Sequence, residues 1–397
     1  MSPPCEDFLT PARAAEAEVS YPLHVLLCTD CLLVQLPKVL PPEEIFTYDY
    51  AYHSSYSTSW VEHARRYATR MAEQLSLGPE SLVVEVASND GYLLQHFVAL
   101  GVPALGVEPA GAVAAVAVER GVPTEVCFLG ASTAERITQA HGRADLVVAN
   151  NVFAHVDDLR DFVAGLARLL HPRGTLTLEF PHLQRLIEGN QYDTIYHEHF
   201  SYFTLLTAER ALALSGLVVI DVEELPTHGG SLRVHAQHAE HAGSGSQRVA
   251  GVLAAERAAG LHEAAGYDGF AQAVQDVKLD LLDFLVRAAR EGKWVVGYGA
   301  PGKGNTLLNH CGVRPDLLPW TVDANPHKHG KLLPGSHIPV RHPDLIAKTK
   351  PDYVLVLPWN LREEISSQLA YVGEWGGKLV FPIPGFEIDD LVKGGST

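Results

Sequence analysis

Two segments of this chain share a design that an α/β fold with helix-flanked strands accommodates most readily. In each, a short apolar strand runs into a turn of small residues that opens a helix. The first is Leu82 to Val86, then Ala87-Ser88-Asn89-Asp90-Gly91, then a helix from Tyr92 to Leu100. The second is Trp294 to Tyr298, then Gly299-Ala300-Pro301-Gly302-Lys303-Gly304-Asn305-Thr306, then a helix from Leu307. Such a junction gathers backbone N–H groups and a helix N-terminus at one point, which suits a carboxylate or a phosphate. With 397 residues, each half of the chain can bury a core of its own.

The first junction points to a particular class of nucleotide. The next strand, Ala104 to Val107, ends in Glu108, where an acidic side chain can accept hydrogen bonds from both hydroxyls of a ribose. A dinucleotide fold calls for GxGxxG so that backbone can approach a pyrophosphate; Ala-Ser-Asn-Asp-Gly has one glycine and leaves room for side chains. That favours a ligand with an amino-acid moiety, S-adenosylmethionine, over a nicotinamide dinucleotide. The alternation continues through strand Leu146 to Asn150, helix Leu159 to Leu170 and strand Gly174 to Phe180. A helix from Thr207 to Ser215 and two strands, Leu217 to Glu224 and Ser231 to Gln237, complete the pattern. An antiparallel last pair on a seven-stranded sheet is how a methyltransferase domain of this type closes. Ligands bind beyond the carboxyl ends of such strands. Asn89, Asp90, Glu108, Asn151, His155 and Glu179 all fall there, and Arg233 is expected to face whatever lies over that edge.

Residues 1–57 read as a small module in which strands Leu23 to Cys28 and Leu32 to Leu36 are hinged at Cys28-x-x-Cys31. A zinc knuckle needs four ligands, and only half of one is visible. Cys5 and His24 are available as third and fourth ligands, and a metal-free hairpin is the alternative. From Phe46 to Trp60, polar and aromatic residues interleave without helical or strand periodicity, a composition that suits contacts to a polar ligand as well as packing on the next domain. Residues 238 to about 255 read as a loop. The Tyr267 to Glu291 stretch has apolar residues three and four apart, so one helical face is buried. Beyond it, strands ending at Asp323, Pro358-Trp359-Asn360 and Pro384 join the second junction in a smaller doubly wound domain. Lys303 adds positive charge to a turn that is not a Walker loop.

The net charge of −17 disfavours binding to a phosphate backbone, and no apolar run approaches the length needed to span a bilayer. The expectation is a cytoplasmic enzyme with neither nucleic-acid nor membrane partners, a monomer being compatible with the sequence. The remaining signal is Tyr196-His197-Glu198-His199-Phe200-Ser201-Tyr202, five proton-handling side chains in seven residues. Tyr, His and Glu suit removal of a proton from an acceptor carbon or oxygen.

Seven segments in order resemble the sugar C-methyltransferases that act on deoxythymidine-diphosphate keto-sugars in antibiotic biosynthesis. They are YHSSYS at 52–57, VEVASNDGYLL at 84–94, NVFAHVDDL at 151–159, YHEHFSYF at 196–203, HGGSLRVH at 228–235, GYGAPGKGNTLLN at 297–309 and LPWN at 357–360. The resemblance implies an N-terminal zinc-binding-like module (1–57), a class I Rossmann-like methyltransferase domain (58–237), a linking helical segment (238–290) and a C-terminal Rossmann-like domain (291–397). It implies that His199 takes a proton from the carbon next to the ketone, commonly C3 of a 4-keto-6-deoxy sugar. Tyr196, Glu198, His155 and Tyr50 match active-site residues that hold the sugar and stabilise the enolate oxygen.

Ser88, Asn89, Asp90, Gly91, Glu108, Pro109, Asn151 and Tyr56 are the expected contacts to S-adenosylmethionine. His228, Arg233, Ala300, Lys303, Asn305, Trp359 and Asn360 are those to the nucleotide sugar. Family members carry a further CxxC ahead of the one here, and this sequence starts too late to contain it, so either the start is truncated or the module has lost its metal. Zinc at Cys28 and Cys31 therefore stays open. The competing readings are a nicotinamide-dependent sugar-nucleotide oxidoreductase, weakened by the absence of GxGxxG, and a non-catalytic sugar-nucleotide-binding protein.

Overall fold

The computed structural model describes residues 1–45 and 53–391. The chain forms two compact units, Leu26–Leu183 with Glu198–Ala264, and Met1–Val25 with Gln184–His197 and Ala265–Thr397. The division cuts across the four consecutive segments expected from sequence. Residues 1–25 join the C-terminal fold, and the YHEH motif passes from one unit to the other between His197 and Glu198.

The first unit opens with β1 (Leu26–Leu27) and β2 (Val34–Gln35), an antiparallel hairpin whose tip is the CxxC turn. Its main sheet comprises β3 (Val83–Val86), β4 (Ala104–Val107), β5 (Thr124–Glu125), β6 (Ala144–Asn150) and β7 (Leu170–Pro181). After β8 (Ser201–Tyr202), which pairs with β2, come β9 (Leu217–Leu225) and β10 (Ser231–His238). The strand order is 5-4-3-6-7-10-9; β10 is antiparallel to both β7 and β9 and every other pairing is parallel, so the seven-stranded sheet closes with the antiparallel β9–β10 pair expected from sequence. Strand periodicity explains the layering, because successive residues point to opposite faces. Val83, Leu146 and Val148 pack with the Thr58–Gln74 and Leu94–Ala99 helices. Their neighbours Val84, Val147 and Ala149 pack with the Leu159–Leu169 and Leu205–Ala213 helices.

One expectation fails in this unit. Gln247–Ala258 form a helix that begins within the stretch 238 to about 255 read as a loop and runs past its end. Its apolar pattern is weak in sequence, but Val249 and Val252 pack on the core. Buried Glu256 fixes it from the far end: its carboxylate accepts the N–H groups of Leu205 (2.5 Å) and Leu206 (3.1 Å) and bonds His182 Nε2 at 2.8 Å. A tertiary contact at a helix N-terminus has supplied what periodicity lacked.

The second unit is built on β11 (Val295–Tyr298), β12 (Thr321–Val322), β13 (Val340–Arg341), β14 (Tyr353–Val356), β15 (Lys378–Phe381) and β16 (Glu387–Asp389). Their order, 13-12-11-14-15-16, is that of a doubly wound sheet, parallel except for β16. The chain departs from β11 toward β12 on one side and returns at β14 on the other, so the switch point lies between β11 and β14. The Phe270–Arg290 helix buries Val277, Leu281, Phe284 and Leu285 against this core, the face its spacing predicted. Among the described residues no helix is long and apolar enough to cross a membrane.

Candidate active site

The turn after β3 is built for side chains rather than for close phosphate contact. Ala87 and Asn89 adopt left-handed backbone conformations (φ 56° and 50°), which cost a residue with a Cβ and persist only where the surroundings fix them. Those surroundings are visible. The Ala87 N–H donates to Val107 O at 2.8 Å, and the Asn89 N–H donates to Glu108 Oε2 at 3.0 Å. Glu108 takes the Ala110 N–H on its other oxygen at 2.9 Å. Burial raises the Glu108 pKa, and these two backbone donors pull it partly back. Gly106 is required by a close approach: a Cβ there would lie 2.4 Å from Ser88 Oγ.

A short turn, Ser54–Tyr56, is fastened over this loop. The Ser54 N–H donates to Asn89 Oδ1 at 2.8 Å, and the Ser55 hydroxyl donates to Asp90 Oδ2 at 2.5 Å. Arg120 donates to the Asp90 carboxylate (3.0 Å), the Asp90 carbonyl (2.8 Å) and Ser55 Oγ (2.9 Å). Asp90 thus braces the turn, and Ser54, Ser55 and Arg120 are site-building residues that sequence reasoning passed over. Ser54 and Ser55 sat within the YHSSYS segment and could have been singled out; nothing in the sequence marked Arg120. Tyr56 is exposed and stacks on His53 with ring centroids 5.1 Å apart. Tyr50, expected in the site, lies outside the described residues.

The turn after β3 and the end of β6 carry the polar atoms that a ligand would satisfy. Ser88 Oγ, Asn150 Oδ1 and Asn151 Oδ1 are buried without a hydrogen-bond partner, and such atoms are costly unless something fills them. Asn151 is itself left-handed (φ 52°) and donates its N–H to Glu179 O at 2.7 Å. These orphaned acceptors lie at the strand ends where S-adenosylmethionine binds in a sheet of this type, and with Glu108 they fit a ligand that offers hydroxyl and ammonium donors.

Two buried phenylalanines bring the histidines together. Phe153 and Phe203 stack at 4.1 Å and 15°, and the Phe200 N–H donates to Ala154 O at 2.7 Å. His155 and His199 ride on these contacts, their rings edge to face at 4.7 Å and 70°, with Tyr202 against His199 at 6.1 Å. Burial holds the His155 pKa down to about 4, so at neutral pH this ring is uncharged.

Arg233 is not a surface contact. It is 3% exposed, 2.5 Å from buried Glu179, 2.9 Å from His63 and stacked over Tyr67 at 4.5 Å. Burial raises the Glu179 pKa, but hydrogen bonding from His63 and the Arg233 charge outweigh it and hold the carboxyl below the usual range. Thr227 donates to the other Glu179 oxygen at 3.0 Å. Arg233 is thus held against the sheet by Glu179, His63 and Tyr67, with its Nε buried and unpartnered. His228, in a left-handed conformation (φ 54°), lies beside Trp60 at 5.2 Å, and Trp60 stacks on His63 at 4.8 Å. His63, one helical turn after Trp60, is a further residue that the i,i+3 spacing could have revealed.

In the second unit the glycine-rich turn is largely engaged by its own chain. The Ala300 N–H donates to Asp323 Oδ2 at 2.7 Å, and Asn305 Nδ2 donates to Cys5 O at 2.6 Å. A Cβ on Gly302 would meet Cys5 Sγ at 2.9 Å and Glu6 Oε1 at 3.0 Å. The Ala300 N–H and the Asn305 side-chain N–H thus have partners within the unit, while Asn305 Oδ1 is buried without one. Lys303 donates to Asn360 Oδ1 at 2.9 Å and lies over the Trp359 ring at 4.7 Å.

Cys28 and Cys31 face one another at the hairpin tip, and N–H groups of Cys31 and Asp30 lower the Cys28 pKa. Two thiols do not make a tetrahedral site. Cys5 and His24 belong to the other compact unit, and among the described residues no group of three or more His, Cys, Asp or Glu side chains could hold a metal ion. The described residues do not fit a complete zinc centre.

A methyltransferase-domain model matches residues 60–222, a C-methyltransferase C-terminal-domain model matches 226–384, and a model described as "Putative zinc binding domain" matches 1–46. The chain is 38% identical over 370 residues to the C-methyltransferase NovU of Streptomyces niveus, covering 93% of this chain and 88% of that one. A ubiquinone biosynthesis O-methyltransferase of Methylobacterium sp. (strain 4-46) is 29% identical over 170 residues, 38% of this chain and 67% of that protein. A solved S-adenosylmethionine-dependent methyltransferase from Anabaena variabilis ATCC 29413 is 15% identical, with a TM-score of 0.36 over 44% of this chain and 84% of that one. The protein belongs to the C-methyltransferase family, with a class I methyltransferase fold and S-adenosylmethionine as its methyl donor.

Proposed function

We propose that this enzyme methylates C3 of a deoxythymidine-diphosphate-linked 4-keto-6-deoxy sugar, making a branched deoxysugar for natural-product biosynthesis. The observation that carries the reading is the His155–His199 contact. A base must hold the proton it removes. His155, pushed down to about 4 by burial, cannot do so at neutral pH; the base is assigned to His199, the residue to which the family resemblance gives that role. The C–H bond next to the ketone breaks, its proton goes to the His199 imidazole, and the electron pair is left on an enolate carbon. S-adenosylmethionine, when bound, supplies the methyl group as an electrophile.

Neutral His155, Tyr196 and Tyr50 are assigned to hydrogen bonds with the sugar and its enolate oxygen, where electrostatic stabilisation acts most strongly. Glu198 is assigned to supporting the charge that develops on the imidazole. Ser88, Asn89, Glu108 and Asn151 are assigned to the methyl donor, and Asp90 to bracing them. Of the C-terminal set, Lys303 with Asn360 and Trp359 is assigned to the diphosphate.

The test is a screen of deoxythymidine-diphosphate keto-sugars with S-adenosylmethionine, read by a mass gain of one methyl group. Gain with a 4-keto-6-deoxy sugar, placed at C3 by NMR, is the expected result; gain only with other acceptors overturns the reading. Binding of NADH with no binding of S-adenosylhomocysteine would instead favour an oxidoreductase.

A further inference from the structure

Asp193 lies three residues before Tyr196 and has no place in the chemistry described so far. It is fully buried, in the short turn Tyr192–Thr194. One carboxylate oxygen, Oδ2, accepts the indole N–H of Trp359 at 2.7 Å, and the other, Oδ1, is buried without a partner. Lys303 is the charged group facing it; its Nζ lies over the same indole and is hydrogen-bonded to Asn360. A buried carboxylate is expensive to keep; the N–H groups of Asp193 and Thr194 support this one from its own turn, and its side-chain hydrogen bond runs to the loop after β14, at the switch point of the C-terminal sheet.

Neighbouring contacts hold the same turn in place. The Tyr192 hydroxyl lies 3.7 Å from Cys311 Sγ, and the Tyr192 ring packs against His310 at 5.1 Å. Asn190 Nδ2 donates to Ala273 O at 2.9 Å. On the far side of Tyr196, His197 is 3.3 Å from Pro22 O and edge-on to Tyr21 at 6.0 Å. Tyr196 is therefore carried on a segment pinned at both ends within one compact unit, and the Asp193 to Trp359 hydrogen bond pins it through a buried charge.

We propose that Asp193 is a positioning residue for C-methylation, fixing the Tyr192–His197 segment, and with it Tyr196, through the Trp359 indole. The inference rests on the role assigned to Tyr196 above. It gives the C-terminal Rossmann fold a catalytic duty besides any contact with the nucleotide: its switch point, where such folds bind ligands, grips the catalytic motif.

The test compares wild type, Asp193→Ala and Asp193→Asn as full-length protein. It uses hydrogen–deuterium exchange of residues 190–197 together with steady-state kinetics on the keto-sugar acceptor. Asp193→Ala should raise exchange in that segment and lower kcat by about ten-fold or more, the scale expected when a hydrogen bond to a charged group is lost. KM for S-adenosylmethionine should stay within about two-fold, because the loss falls on a transition-state contact. Asp193→Asn keeps an oxygen for the indole and should restore most of both effects. Unchanged exchange in Asp193→Ala, or unchanged kcat per folded molecule, overturns the proposal. Raised exchange in a protein whose wild type methylates no keto-sugar would support the anchor and sink the assigned reaction, so the two failures are distinguishable.

Discussion

His155 and His199 meet edge to face at 4.7 Å, one ring on a short 3-10 turn after β6 and the other on the segment leading into β8. The contact places a ring kept neutral by burial beside the ring assigned as base. It follows from the Phe153–Phe203 stack and the Phe200 to Ala154 hydrogen bond rather than from any local preference of either histidine.

Replacing the assigned base tests the pair directly. His199→Asn should lower kcat by roughly 10² to 10⁴, the range for loss of a general base. Deuterium exchange at the carbon next to the ketone should vanish with it, while S-adenosylhomocysteine affinity measured by calorimetry stays within about two-fold. Full exchange in this variant would move the base elsewhere.

The depressed pKa of His155 has a consequence for stability. An unfolded histidine titrates near about 6.5. The folded ring, at about 4, stays unprotonated below that value, so between pH 6.5 and 4 only the unfolded chain takes up the proton. Stability present above pH 6.5 is therefore lost as pH falls toward 4, by at most roughly 3 kcal/mol from this group. Denaturant midpoints measured across that window should fall less steeply for His155→Gln than for wild type. Parallel curves would show that the ring is not held neutral.

The Glu179–Arg233 pair should behave as a buried ion pair. Arg233→Ala strands a buried carboxylate and should destabilise the protein by about 3–5 kcal/mol, whereas the double change Glu179→Gln, Arg233→Met should cost much less. Urea denaturation of the single and double variants measures the difference. A double variant as unstable as Arg233→Ala would mean that packing over Tyr67 dominates.

Gly106→Ala probes the turn that holds the methyl donor. Its new Cβ would lie 2.4 Å from Ser88 Oγ and 2.9 Å from Thr124 Oγ1. Displacing Ser88 should weaken S-adenosylhomocysteine binding by about ten-fold or more, about 1.4 kcal/mol. Gly78→Ala, where nothing lies within 4 Å, serves as the matched control and should bind as wild type does. Equal affinity in both variants would remove Ser88 from the site.

Much of the sheet was legible because strands buried on both faces read as apolar runs between turn residues, and their ends fell where the alternation put them. Glu108 and Asn151 were identified by position at those ends, and both sit at the turns expected for them. What escaped the reading was set by partners far away in sequence. Nothing in β10 reveals that Glu179 of β7 and His63 of a helix meet Arg233. In the same way the sequence does not show that Asp323 and Cys5 lie beside Ala300 and Asn305.

The sequence by itself determined two strand–turn–helix junctions, the single-glycine turn that favours S-adenosylmethionine and the cluster from Tyr196 to Tyr202. These are local: chain periodicity, turn chemistry and residue identity are carried by neighbours within a few positions. Only the tertiary structure decided which acceptors stay orphaned at the end of β6, that His155 is neutral, and that Asp193 bonds Trp359. Each of these depends on burial and on partners brought from distant parts of the chain. Desolvation and hydrogen-bond satisfaction are properties of the packed molecule, and no window of the sequence contains them.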